Sequence, residues 1–188
     1  MISTDRFNIR NTSLPGLHLI DRIPIKDDRG WLERIYCQDS IGELANGKAI
    51  RQITKTLTVK KGTVRGLHFQ KTPYAETKII SCIKGKIWDV AVDLRKNSPT
   101  FLKYFAVELS ENQHLSLLVP EGFAHGFQSL TNNCQIIYFN TSNHNSDAEG
   151  GINALDPKLS IQWPLEISLR SMRDANHQFI ENNFNEFK

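Results

Sequence analysis

The chain has 188 residues, 39% hydrophobic and 23% charged, the size and composition of one soluble globular domain with a core of its own. Its 23 Lys and Arg against 20 Asp and Glu leave a formal net charge of +3, too small and too scattered for a nucleic-acid surface but suited to a pocket that receives a diphosphate. Three widely spaced cysteines (Cys37, Cys82, Cys134) with no CxxC pair exclude a full disulfide framework and favour a reducing compartment. No signal-peptide pattern opens the chain, and no apolar run approaches the roughly 20 residues that span a bilayer. A cytoplasmic protein with no membrane or nucleic-acid partner is expected.

Residues 1–50 read as an N-terminal arm, in which 39–46 (Asp-Ser-Ile-Gly-Glu-Leu-Ala-Asn) suits a short helix. Residues 52–59 (Gln-Ile-Thr-Lys-Thr-Leu-Thr-Val) alternate and are rich in β-branched side chains, a strand pattern. Runs 78–83 and 86–94 flank Lys84-Gly85 and predict a hairpin with a tight turn. In its second arm Trp88, Val90, Val92 and Leu94 face one way, and Ile87, Asp89, Ala91 and Asp93 the other. Short runs follow at 101–109, 114–119, 126–130 and 134–140, separated by Asn-Ser-Pro at 97–99, Pro-Glu-Gly at 120–122 and Thr-Asn-Asn at 131–133. Residues 168–176 suit a turn, and the polar tail (about 176–188, with Phe179, Phe184 and Phe187) is expected to pack late or not at all. With no repeat and no linker, the chain reads as one all-β sandwich or barrel with short peripheral helices.

Two stretches concentrate chemistry. Residues 62–70 read Gly-Thr-Val-Arg-Gly-Leu-His-Phe-Gln. On a strand His68 and Gln70 share a face. With Arg65 beside them, a cation, an imidazole and an amide form a wall able to hold an anion and exchange a proton with it. An ordinary half-buried histidine fits the same spacing. Residues 120–127 (Pro-Glu-Gly-Phe-Ala-His-Gly-Phe) turn the chain and send His125 into a strand between aromatics, as a packed or a functional histidine. Asp89 and Asp93 share a strand face, where they could orient Lys78 or a histidine or meet solvent. Asp174, in isolation, reads as a surface acid. A metal centre is disfavoured: the usual His-x-His is His68-x-Gln70 here and the nearest downstream acid is Glu76, so three strong ligands do not assemble. No GxGxxG, P-loop or GxSxG motif is present, and no His adjoins a Cys.

Taken together, several stretches resemble the dTDP-4-dehydrorhamnose 3,5-epimerase family. They are Asp-Asp-Arg-Gly-Trp at 27–31, Val-Arg-Gly-Leu-His-Phe-Gln at 64–70, Asp-Val-Ala-Val-Asp-Leu-Arg at 89–95, Asn-Ser-Pro-Thr-Phe at 97–101, the 120–127 segment, and Asp-Pro-Lys-Leu-Ser-Ile-Gln-Trp-Pro at 156–164. They stand in the family's order. The resemblance implies a double-stranded β-helix jelly-roll barrel (cupin-like) working as a homodimer without metal or cofactor. It also implies a nucleotide-linked 4-keto-6-deoxyhexose as substrate and a place in polysaccharide or lipopolysaccharide synthesis. By the same resemblance His68 is the base, Asp174 its partner, Tyr138 the opposing acid and Lys78 the cation near the developing oxyanion. Arg65, Gln70, Gln52, Asp89 and His125 belong to the substrate pocket, with Asp89 positioning Lys78, and Arg29 is a nucleotide contact on an arm that can cross to the partner subunit.

The chain also departs from the family pattern. Arg34 stands where a Glu is common, with Glu33 one place earlier; Thr54 replaces an Asn; Phe139 replaces a Lys; and Asn143 and His144 replace aromatics. These changes leave three matters open: the nucleotide (dTDP, CDP or GDP), whether one or both centres are inverted, and the reading as a non-catalytic sugar-nucleotide-binding barrel.

Overall fold

A computed structural model describes residues 2–181 and 184; Phe187 lies outside them. Among the described residues the chain forms strands β1 (Ile2–Ser3), β2 (Phe7–Asn11), β3 (His18–Arg22), β4 (Ile25–Asp27) and β5 (Gly30–Leu32). After these come helix α1 (Gln38–Ile41) with a 3-10 turn at Gly42–Ala45, then β6 (Gln52–Thr58), β7 (Val64–Gln70), β8 (Lys78–Lys84), β9 (Lys86–Asp93) and β10 (Tyr104–Ser110). The remainder is β11 (Leu115–Val119), β12 (Phe123–Ser129), β13 (Cys134–Asn140), β14 (Glu149–Gly151) and helix α2 (Met172–Ala175). Seven strands pair in the order β1-β2-β3-β11-β8-β13-β6 and five in the order β10-β9-β12-β7-β14, while β4 and β5 form a separate hairpin. The two larger sheets pack face to face as the expected jelly-roll barrel.

Three apolar clusters follow from this layering. Between the sheets, Ile80, Cys82, Leu117 and Ile136 of one meet Ile87, Ala91, Leu109 and Phe127 of the other. Outside the seven-stranded sheet, Ile9, Ile20, Ile79, Leu118 and Phe139 are covered by Ile41 of α1. Outside the five-stranded sheet, Leu67, Val90, Val92 and Leu94 are covered by Ile152, Leu159, Ile180, Trp163 and Phe184. The tail thus packs at Ile180 and Phe184, shielding an apolar sheet face that would otherwise meet water.

The predicted hairpin at Lys84-Gly85 does not form. Strand β8 pairs with β11 and β13, and β9 pairs with β10 and β12 in the other sheet. Gly85, at φ +77°, is the corner where the chain passes between sheets. Both runs are buried on both faces, so they lack the one-sided alternation that marks partners in a hairpin. The face assignment within β9 holds: Ile87 and Ala91 enter the interior while Val90, Val92 and Leu94 face outward. The buried Asp93 accepts bonds from Arg95, Ser98 and Thr100 and so fastens the next turn.

A bulge in β7 sets up the functional face. His125 pairs with His68 and Phe127 with Arg65, so two residues, Gly66 and Leu67, stand opposite the single Gly126. Strict alternation would turn Arg65 and His68 to opposite faces; the extra residue brings them to one cavity. The bulge needs both glycines. Gly66 lies at φ +115°, and a Cβ there would stand 2.6 Å from the Gly126 Cα, while one on Gly126 would stand 2.6 Å from the Arg65 carbonyl oxygen. Gly126→Ala should therefore cost roughly 1–3 kcal/mol in urea unfolding and lower activity more than global stability explains, because His68 moves with the bulge. A variant with wild-type stability and turnover would show that the strands can separate without cost.

Candidate active site

The bulge, the facing sheet and α2 enclose a cavity of about 570 Å³ lined by Arg65, His68, Lys78, His125, Tyr138, Arg170, Arg173 and Asp174. A second cavity of about 330 Å³ shares His68, Lys78 and Tyr138 with it and adds Gln52, Gln70, Glu76, Asn140, His144 and Glu149. His68 comes from the five-stranded sheet; Lys78 and Tyr138 come from the seven-stranded sheet. The imidazole and the phenol therefore stand on opposite walls.

His68 Nε2 lies 2.9 Å from Asp174 Oδ1, with side chains 23% and 3% exposed. Asp174 Oδ2 accepts the Gly66 amide at 3.0 Å, and the Asp174 amide donates to Ser171 Oγ at the start of α2. Burial alone would raise the Asp174 carboxyl, but the bonds from His68 and Gly66 outweigh it and hold the group well below the usual carboxylate range. Arg173 Nη2 also approaches His68 Nε2, at 3.1 Å. One nitrogen cannot donate to a carboxylate and accept from a guanidinium at once. The shorter, buried carboxylate contact decides that Nε2 carries the proton, which leaves Nδ1 as the basic atom.

Tyr138 is partly buried, its ring edge-on to His125 at 6.1 Å between centroids. Burial, then the charge of Asp89, pushes its hydroxyl well above the ordinary phenol value, so it stays a proton donor. Asp89 does not position Lys78. Its Oδ1 lies 2.8 Å from His125 Nε2, with the pair 0% and 5% exposed; strand order places β9 beside β12, which carries His125. The carboxylate beside Lys78 is Glu76, at 3.2 Å.

The remaining expected residues divide. Arg65 lines the cavity with Nε on Thr58 Oγ1 and Nη2 on the Leu57 carbonyl. Gln52 lines the smaller cavity, donating to Thr54 Oγ1 and accepting the His144 amide. Gln70 is buried and committed at both ends: it donates to the carbonyls of Tyr74 and Asn143 and accepts the Asn145 amide. It is thus a clamp on two loops rather than a free ligand contact. Arg29 stands apart on the exposed β4–β5 hairpin, paired with Asp27 at 2.6 Å.

Nothing local in the sequence marks Arg170, Arg173 and His177, which only the path of the segment around α2 brings in. His68, Asp174 and His177 each offer a donor atom within 4.8 Å of one another, a grouping the 62–70 motif alone does not contain. The guanidinium of Arg173, 3.1 Å from His68 and 3.4 Å from Asp174 Oδ1, already brings positive charge to that point. His177 packs edge-on to His68 at 5.8 Å between centroids, and burial, then the charge of His68, lowers its pKa.

A family model described as dTDP-4-dehydrorhamnose 3,5-epimerase matches residues 11–182. The chain is 36% identical over 172 residues to the dTDP-4-dehydrorhamnose 3,5-epimerase of Shigella flexneri, covering 91% of this chain and 94% of that one. It is 34% identical over 169 residues, 89% and 81% of the two chains, to a dTDP-4-dehydrorhamnose 3-epimerase of Streptomyces niveus. The crystal structure of dTDP-4-dehydrorhamnose 3,5-epimerase from Elizabethkingia anophelis NUHP1 superposes with a TM-score of 0.89 at 33% identity, covering 95% of this chain and 99% of that one.

The depressed Asp174 carboxyl stabilises the fold fully above the unfolded-chain value near pH 4, and that contribution is lost as pH falls through the lower folded value. The stability deficit of Asp174→Asn, read by urea unfolding, should shrink as pH falls below about 4. Its kcat should fall by roughly 10²–10⁴. A deficit that grows as pH falls below about 4 would contradict the ionised, doubly bonded carboxylate.

Proposed function

The chain belongs to the dTDP-4-dehydrorhamnose 3,5-epimerase family, and within it we propose that it inverts C3, C5 or both of a nucleotide-linked 4-keto-6-deoxyhexose, dTDP-4-dehydro-6-deoxyglucose first among them. The observation that carries this is the His68–Asp174 contact at a cavity whose opposite wall holds Tyr138 and Lys78. The ketone at C4 acidifies the hydrogens on C3 and C5. His68 Nδ1 removes one of them, and Asp174 holds the tautomer and stabilises the imidazolium that results. The electron pair moves to the C4 oxygen, where the Lys78 ammonium meets the charge as it develops. Tyr138 returns a proton to the other face of the ring and the centre is inverted. Arg65, Arg170 and Arg173 suit the diphosphate.

The same proposal includes a homodimer and a cytoplasmic setting. Strand β6 is a sheet edge with Ile53 and Leu57 exposed, and the β4–β5 hairpin exposes Trp31 and Leu32, apolar surface of the kind a second copy covers. Arg29, exposed on that hairpin beside Asp27, then reaches toward the partner's nucleotide. The cysteines are free, as a reducing compartment keeps them, and no helix of the described residues is long and apolar enough to cross a membrane.

Incubation in D2O with dTDP-4-keto-6-deoxyglucose, followed by NMR, tests the reaction. Deuterium at C3 and C5 is expected of a 3,5-epimerase, and at one position of a single-centre enzyme; none with dTDP-, CDP- or GDP-linked ketosugars would leave only a binding barrel. His68→Asn should abolish exchange at every centre and leave nucleotide binding largely intact. Tyr138→Phe should slow inversion more than exchange; equal loss of both would remove Tyr138 as a dedicated acid.

A further inference from the structure

Lys78 carries a flexible ammonium on four rotatable bonds, and its place in the cavity depends on what holds it. Its Nζ lies 3.2 Å from Oε1 of Glu76, with side chains 15% and 7% exposed, so the pair is no solvated surface contact. The two residues are separated by one, as alternation along an extended segment requires for side chains on one side. The backbone around Glu76 is pinned. Before it, Gln70 donates to the Tyr74 carbonyl at 3.1 Å. After it, the Thr77 amide donates to Thr141 Oγ1 at 2.9 Å and the Thr141 amide to the Thr77 carbonyl at 3.1 Å.

Glu76 Oε2 is buried without a hydrogen-bond partner, an arrangement that costs folding stability rather than adding to it. The neighbouring acids serve other groups: Asp89 faces His125, Asp174 faces His68 and Gly66, and Glu149 faces Arg173. Arg65, Arg170 and Arg173 line the same cavity as Lys78 and repel its charge. A carboxylate on its far side keeps the ammonium among three guanidiniums and at one point.

We propose that Glu76 is the positioning residue for Lys78, fixing Nζ where both cavities meet so that its charge stands ready for the oxyanion at C4. It touches no reacting atom and acts through Lys78 alone. This rests on the role given to Lys78 above, and the test separates the two.

Wild type, Glu76→Gln, Glu76→Asp, Lys78→Met and the Glu76→Gln/Lys78→Met double variant would be compared for turnover and deuterium uptake on dTDP-4-keto-6-deoxyglucose. Glu76→Gln should lower kcat about 10–100-fold with KM within about threefold of wild type, and Glu76→Asp should recover part of the loss. The double variant should be within about twofold of Lys78→Met, because Glu76 has nothing left to position. A rise in KM alone would make Glu76 a substrate contact and overturn the proposal. So would the full Glu76→Gln loss reappearing on top of Lys78→Met, which marks an independent or structural role. Glu76→Gln at wild-type rates beside a crippled Lys78→Met removes Glu76 only; Lys78→Met at wild-type rates removes the assignment of Lys78 and that of Glu76 with it.

Discussion

Asp174 ties the segment around α2 to the strand that carries His68, and the rest of the site depends on that tie. Its two oxygens engage His68 and the Gly66 amide, 106 and 108 residues away in sequence. Both donors belong to the bulge of β7, which supplies a backbone N–H and an imidazole to one carboxylate. Burying the carboxylate would be costly without them; with them, the charge is retained and the imidazole is fixed in orientation and tautomer. Through α2 the same contact carries Arg170 and Arg173 to the cavity wall.

The layering explains why groups from distant segments can be held to working geometry. The interior cluster locks the two sheets together, and the outer clusters cover each from behind. Strand β11 is buried along its whole length as a result. His68 on one sheet and Tyr138 and Lys78 on the other then face one cavity, which is the placement that the proposed base, acid and cation require. Inversion needs proton transfer on both faces, and two facing sheets can hold a donor and an acceptor on opposite sides of a ring.

What the sequence made legible was local. The alternation of 52–59, the strand carrying His68 and Gln70, the turns at 97–99 and 120–122, and the helical turn near 39–46 all rest on neighbours a few residues apart, and the structure bears them out. Strand partnership was not legible, because β8 and β9 are apolar on both faces and carry no mark of which sheet they join. The failed hairpin at Gly85 has that cause; Asp89, which the alternation left to orient Lys78 or a histidine, faces His125 rather than the Lys78 that the resemblance implied. Arg65 joined His68 only through a bulge that two glycines permit. Glu76 could have been found, since it stands two residues from Lys78 on an extended segment. Arg173 and His177 could not, because nothing local distinguishes them from surface residues of a polar tail. The partnership of Asp174 with His68 came from family resemblance alone.

The acids and bases of the site are sorted by depth. Asp89 behind His125, Asp174 behind His68 and Glu76 behind Lys78 are 0%, 3% and 7% exposed, against 5%, 23% and 15% for their partners. In each pair the carboxylate is the more deeply buried member. The nitrogen groups and the arginines are thus the more exposed charges of the wall, and the carboxylates that hold them are the less exposed. Under the proposed mechanism this order favours anions twice, first the diphosphate on entry and then the enolate as the proton leaves. The second is the larger demand, because that charge exists only in the transition state and intermediate, and groups already fixed by buried carboxylates need not reorganise to meet it.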